Sequence, residues 1–377
     1  MTVLGLIGPS WGPALVPARA AFHLTLLTAG TLFLVFGVAR TVGATLSAVL
    51  SDLAGRRALV VAYGAALFVG LAAVALAPGW SAVLAGACGI GFAFGAVSTE
   101  ANAVAAVAGG AARGRDLSFI NAVYSVGAAL GPLVVGALLA AHLGWRLAFA
   151  LWAVAAIVPF WGLATVAGRM AQPAAPRAAP PPPVTADPSI LLLAGMAFIY
   201  NGVGWTVGGW AATYLVGRFG AALITGTLGS SVFYAFLAAG RFANAPLAAR
   251  VAPGTLLRVG AAASAVTLTA LALAPGSLLA LAAFGAAGFC LAGIYPNLIA
   301  YATARHPDRP GAMAGLISTG GAIGVSVVPF AAGALGKGIG LSSMVWLLMG
   351  LGLALVVLAE AAARAGRRAA GQRAQGA

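Results

Sequence analysis

Negative charge is almost missing from this sequence. Only six of its 377 residues are Asp or Glu, against twenty Lys and Arg, and charged residues make up just 7% of the chain. A soluble domain of this length carries several times that charge on its surface, so composition excludes one. Cysteine is scarce as well. Cys88 and Cys290 lie in apolar runs without ligand spacing, which excludes a disulfide framework or a zinc ribbon. His23, His142 and His306 fall near predicted loops, so no metal site is visible and no cofactor is called for. There is no glycine-rich phosphate loop ending in Gly-Lys-Ser/Thr, which argues against ATP hydrolysis. No Ser/His or Asp/Asp pair is placed for hydrolysis within a membrane, so the chain is not read as an enzyme. The basic excess is scattered arginine rather than a stripe with aromatic interleaving, so nucleic acid is not an expected partner.

What the sequence has in abundance is apolar length. Hydrophobic residues make up 62% of it and the mean hydropathy is +1.03. Twelve segments are long enough to span about 30 Å of hydrocarbon: 1–17, 25–50, 58–77, 81–108, 117–141, 147–167, 189–216, 221–247, 257–274, 278–304, 312–334 and 341–363. Irregular backbone cannot face lipid, so each is expected to be a helix. The expected fold is therefore all-α, a polytopic membrane protein with twelve transmembrane helices in two six-helix bundles. The first segment is short and carries Pro9, Pro13 and Pro17 without a basic lead-in, which points to a start upstream of Met1 rather than a cleaved signal.

Basic residues give the orientation. With both termini inside, only Arg19, Arg146, Arg218 and Lys337 fall in outer loops, and Arg40 and Arg241 fall within spans. Every other Lys or Arg lies in an inner loop, at the inner edge of a span or in the tail, as the positive-inside rule requires. The expected location is the cell's inner (plasma) membrane, with the lipid bilayer as partner and both termini cytoplasmic.

Residues 168–188 are dense in proline and alanine, which favours water-exposed extended chain and excludes helix. They divide the sequence into a bundle at 1–167, a cytoplasmic linker at 168–188, a bundle at 189–363 and a basic tail at 364–377. The halves echo one another. Pro132-Leu-Val-Val-Gly136-Ala-Leu138 returns as Pro329-Phe-Ala-Ala-Gly333-Ala-Leu335, Gly91-Phe92 returns as Gly288-Phe289, and Arg40 and Ala44 return as Arg241 and Ala245. Each match pairs a span with the one six further on, the mark of a duplicated bundle.

Between spans 2 and 3 the chain reads Ala48-Val-Leu-Ser-Asp52-Leu-Ala-Gly55-Arg56-Arg57. This resembles the loop signature of the major facilitator superfamily, with the Asp-x-x-Gly-Arg-Arg core intact. The resemblance implies a gating loop in which Asp52, Gly55, Arg56 and Arg57 make charge pairs that break on switching. Finer runs resemble the fucose-permease-like sugar-porter branch: Thr99-Glu100-Ala101-Asn102 in span 4, Asn121-Ala-Val-Tyr124-Ser125-Val-Gly127 in span 5, Tyr200-Asn201-Gly202-Val-Gly204-Trp205 in span 7, Phe233-Tyr234-Ala-Phe-Leu-Ala-Ala-Gly240-Arg241 in span 8 and Ile294-Tyr295-Pro296 in span 10. Two departures matter. Ser98 stands where that branch commonly carries its span-4 acid, and Gly204 where it often carries a glutamate.

Glu100 is the acid that falls deep inside a span, where an ionised and unpaired carboxylate is costly; acids so placed usually mark ion or substrate paths. It is the candidate proton site. Arg40 can share its depth, and a Glu100–Arg40 pair would lessen the cost of both charges. Arg40 and Arg241 hold matching positions in the two repeats; together they would favour an anion, unless Arg241 reaches out to water at the inner end of span 8. Asn102, Asn121, Tyr124, Tyr200, Asn201, Trp205, Tyr295 and Asn297 are the other candidate cavity residues, each open to a packing reading. Trp11, Trp80, Trp145 and Trp152 have interfacial belts as their default. The expected function is secondary active transport of a small polar solute, sugar-like or anionic, by a monomer using alternating access and proton coupling. A drug or metabolite exporter exchanging protons, and a non-transporting membrane sensor, stay open as alternatives.

Overall fold

The computed structural model describes residues 1–50, 56–108, 113–169, 188–305 and 310–375, and every regular element among them is an α-helix. The first six are α1 (Thr2–Ala21), α2 (Leu26–Leu50), α3 (Arg56–Ala75), α4 (Trp80–Ala108), α5 (Arg113–Ala140) and α6 (Trp145–Arg169). The second half holds α7 (Pro188–Phe219), α8 (Leu223–Ala248), α9 (Pro253–Ala272), α10 (Ser277–Leu291), α11 (Ile294–Arg305), α12 (Pro310–Ile339) and α13 (Ser342–Gln375). Eleven stretches among the described residues are long and apolar enough to cross a membrane, with α10 and α11 sharing one of them. α1 stands apart. It is twenty residues long with all three of its prolines inside the helix, and Ile7, Trp11 and Leu15 on it are buried against protein. The expected linker at 168–188 lies almost wholly outside the described residues, and α13 carries helix on through the expected tail as far as Gln375.

The outer surface is what lipid as solvent requires. Val158, Trp161 and Leu278 are each more than 75% exposed, and many other large apolar side chains point outward with them. The break between α10 and α11 has a local cause. Pro296 has no N–H to give the preceding turn, so the span turns at Ala292–Gly293 before helix resumes. Broken backbone at this depth is tolerated only where protein or a cavity surrounds it.

Buried apolar side chains gather into two main clusters. One runs mainly through α1 to α6, the other mainly through α7 to α13. Contact between the halves runs along α2 with α12, α5 with α8 and α1 with α7. These contacts tighten toward the ends where α1 finishes and α2 begins. There a Cβ on Gly333 would sit 2.7 Å from the Leu26 carbonyl oxygen, and one on Gly12, farther in, would run into the Gly208 carbonyl. Gly136 packs in the same way on the Thr227 side chain. Toward the opposite ends the helices carry exposed polar side chains instead, Thr45 on α2, Asn102 on α4, Asn121 on α5, and Ser318 and Thr319 on α12. The halves are thus closed together at one end and parted at the other.

Candidate functional site

Arg40 lies near the middle of α2. Its guanidinium sits over two rings, 5.2 Å from the centroid of Phe94 on α4 and 5.7 Å from that of Trp205 on α7. Cation–π contact of this kind compensates part of the cost of a desolvated charge. The rings themselves are tied together, since Phe36, Phe94 and Trp205 stand within 5.0–6.1 Å of one another by their centroids. Tyr124 on α5 completes the wall, edge-on to Phe94 at 6.3 Å.

Arg241 is held differently. Its Nη1 donates to Ser125 Oγ at 2.6 Å and to the Asn121 carbonyl at 3.3 Å on α5, while Nη2 donates to the Tyr200 hydroxyl at 3.1 Å on α7. α8 continues past it to Ala248, so Arg241 does not sit at a helix end, and its side chain turns inward rather than out to bulk water. Tyr200 stacks on Tyr295 of α11 with centroids 5.7 Å apart, and Tyr295 in turn shares a hydrogen bond with Ser318 of α12. Tyr234 on α8 closes the group by donating to the Gly204 carbonyl at 3.1 Å. Tyr124 lies within electrostatic reach of both guanidiniums, so the two cations stand on either side of one phenol.

The expected Glu100–Arg40 pair is not formed. Glu100 is buried on α4 and accepts a hydrogen bond from Ser47 Oγ at 2.8 Å. Ser47 lies seven residues beyond Arg40 on the same face of α2, about 10 Å nearer the parted end. Glu100 therefore meets the expected helix, two turns away from the expected residue.

The remaining candidates divide. Tyr124, Tyr200, Trp205 and Tyr295 join the two arginines, and Asn121 contributes its carbonyl. Asn201 donates to the Ala197 carbonyl of its own helix and packs against Gly321. Asn297 is buried, donating to Asn244 Oδ1 and to the Gly293 carbonyl beside the break in the span. Asn102 is exposed on α4, two residues beyond Glu100. Trp210 donates to the Pro329 carbonyl at 2.8 Å and so ties α7 to α12. The expected belts are corrected too, because Trp11, Trp145 and Trp152 are buried inside the protein and pack with Phe149 and its neighbours rather than at a lipid interface. Phe94, Ser125, Tyr234 and Ser47 had no distinct signal in the sequence; Ser125 and Tyr234 sit inside runs that carried the family resemblance. Asp52, Gly55 and the side chain of Arg56 in the expected gating loop lie outside the described residues, while Arg57 is exposed at the start of α3.

A family model described as the Major Facilitator Superfamily matches residues 3–277, well over half of the chain. The chain belongs to the major facilitator superfamily. This facilitator also shares its fold with solved transporters at low identity. A bacterial homologue of the human lysosomal transporter Spinster, in an inward-facing and occupied conformation, is 17% identical with a TM-score of 0.73, covering 97% of this chain and 94% of that one. A D-xylose–proton symporter is 16% identical with a TM-score of 0.72, covering 95% of each chain. The nucleoside transporter NupG, solved as a point mutant, is 13% identical with a TM-score of 0.74, covering 97% of this chain and 98% of that one. No curated protein matches the sequence significantly. Family and fold together make this a multi-pass membrane transporter and not an enzyme.

Proposed function

We propose that this facilitator carries a small polar solute by alternating access of two six-helix bundles, and couples that movement to protons at Glu100. The observation that carries the reading is the mid-depth cluster of Arg40, Phe94, Tyr124, Tyr200, Trp205, Arg241 and Tyr295, drawn from both halves. A polar site built from two bodies is opened to either side when they rock about it. The division of the apolar core into two clusters supports two such bodies. With both termini cytoplasmic, the parted end faces the cytoplasm and the structure is inward-facing. Similarity in fold to a sugar–proton symporter and a nucleoside transporter is compatible with a small polar cargo.

Glu100 suits a proton site because it is buried with a hydroxyl partner on a neighbouring helix, toward the open end of the pathway. Protonation removes a charge whose burial would otherwise oppose rearrangement of α4 against α2.

Proton movement in proteoliposomes carrying an internal pH dye tests the reading, on addition of neutral sugars, nucleosides, small carboxylates or phosphate esters. Solute-driven acidification that Glu100→Gln abolishes, with solute exchange retained, is the expected result. Coupling that survives in Glu100→Gln would make Glu100 a packing residue.

A further inference from the structure

We infer that the solute is an organic oxyanion, a carboxylate or a phosphate ester on a ring-shaped body, held between Arg40 and Arg241. The inference rests on the mid-depth cluster being the solute site.

Charge comes first. Both guanidiniums are permanent cations, and among the described residues neither meets a carboxylate. The contrast is Arg258, which pairs with Glu360 at the protein surface. Glu100 is engaged about two helical turns from Arg40, through Ser47. The pocket thus concentrates positive charge in a region where water is scarce. A neutral solute leaves that charge as it stands, and an anion compensates it.

The hydrogen-bonding capacity agrees. Arg40 uses its faces on Phe94 and Trp205, and its nitrogens donate to no acceptor among the described residues. Yet none of those nitrogens is sealed away from space that water or solute can enter. The Tyr124 hydroxyl is in the same position, with no acceptor among the described residues and no seal. A mid-membrane guanidinium edge that is both reachable and unused is a fork suited to two oxygens of one oxyanion. Among the described residues Arg241 is bonded only to neutral acceptors, Ser125 Oγ, the Asn121 carbonyl and the Tyr200 hydroxyl, which an anion outcompetes. A carboxylate or phosphate arriving between the cations takes donors from both.

The walls choose the rest of the molecule. Tyr200 stacked on Tyr295, with Trp205 and Tyr124 nearby, presents ring faces and hydroxyls rather than aliphatic side chains. A flat or cyclic polar body fits that lining better than an alkyl chain.

Matched pairs of probes test this in counterflow with reconstituted protein: D-glucose against D-glucuronate, and uridine against uridine 5′-monophosphate. At least one anion is expected to exchange, with its neutral partner about 100-fold weaker, the scale of losing hydrogen bonds to a charged group. Arg40→Gln and Arg241→Gln should each lower anion exchange at least about tenfold. Arg40→Lys and Arg241→Lys, which keep the charge, should retain more. Because a glutamine variant can fail to fold, the wild-type melting temperature is read with each probe as well, and only the anions should raise it. Exchange of the neutral members alone, with both arginine variants as active as wild type, overturns the anion assignment and leaves transport standing. Neither exchange nor a melting shift with any of the four overturns the transport reading and this inference with it.

Discussion

Arg241 on α8 donates to Ser125 on α5 at 2.6 Å, joining the second half of the chain to the first at mid-depth. The same guanidinium reaches Tyr200 on α7 within its own half, so it is shared between the two bodies that must rock. Removing Ser125 Oγ leaves the Asn121 carbonyl and cavity water as substitutes. Ser125→Ala is therefore expected to cost about 1 kcal/mol, below the usual range for a hydrogen bond to a charge. A double-mutant cycle of Ser125→Ala with Tyr200→Phe, followed by thermal unfolding in detergent, checks it. The two losses should be non-additive by about 0.5 kcal/mol or more, since both hydroxyls serve one guanidinium.

Gly12 and Gly208 set how closely α1 and α7 can approach at the closed end. A Cβ at Gly12 would overlap the Gly208 carbonyl, which is backbone and cannot swing aside. Gly12→Ala should penalise the closed end by about 1–3 kcal/mol, the usual cost of overpacking, and shift the population toward the state open at that end. Spin labels at Thr25 and Lys337, exposed at the ends of α2 and α12, report the change. Their separation should lengthen in Gly12→Ala, and an unchanged distance distribution would show that the contact at that end does not govern the state.

Trp210 lends itself to a control. Its indole N–H reaches the Pro329 carbonyl and its ring meets Phe33 at 5.6 Å, so it fastens α7 to α12 and α2. Trp210→Phe keeps most of the apolar contact and loses the bond, leaving a buried carbonyl with one partner fewer. A melting-temperature loss corresponding to about 1–2 kcal/mol is expected. The apparent affinity for solute should stay as it was, whereas Trp205→Phe should weaken it.

Much of the fold could be read from the sequence because lipid allows so few alternatives. Each long apolar run had to be a helix. The matched positions of Arg40 and Arg241 in the repeats pointed to the two residues that anchor the cluster. What the sequence could not supply was depth to within a helical turn. Glu100 and Arg40 both looked mid-span, but a boundary uncertain by a few residues moves a side chain several ångströms along the axis and right around the helix. Ser47, two turns below Arg40, was the residue that met Glu100. The tryptophans misled for a related reason. An indole near a helix end reads as an interfacial anchor, and only packing reveals that Trp11, Trp145 and Trp152 face inward. Asn201 and Asn297 were ambiguous as single letters, since an amide serves a solute or a neighbouring helix equally well.

Gly204 offers the sharpest test of what the pocket is for. It lies one turn from Tyr200 on the same face of α7, and a Cβ there meets nothing within 4 Å. Its carbonyl accepts from Tyr234, so the open space lies beside the phenols that surround both arginines. A glutamate at this position, as the sugar-porter resemblance would have it, starts in open space at its Cβ and extends beside those phenols. Its carboxylate would then occupy the field of Arg241 that a solute anion otherwise fills. Gly204→Glu is accordingly expected to fold normally and to lower the apparent affinity for an anionic solute at least about tenfold, the loss of one charge-assisted contact. If the cargo were neutral, the same substitution would leave affinity unchanged or add a hydrogen-bond acceptor that improves it. Counterflow with D-glucuronate and D-glucose in wild type and variant separates these cases: wild-type glucuronate exchange that Gly204→Glu weakens marks an anion site, and wild-type glucose exchange that it leaves or improves marks a neutral one.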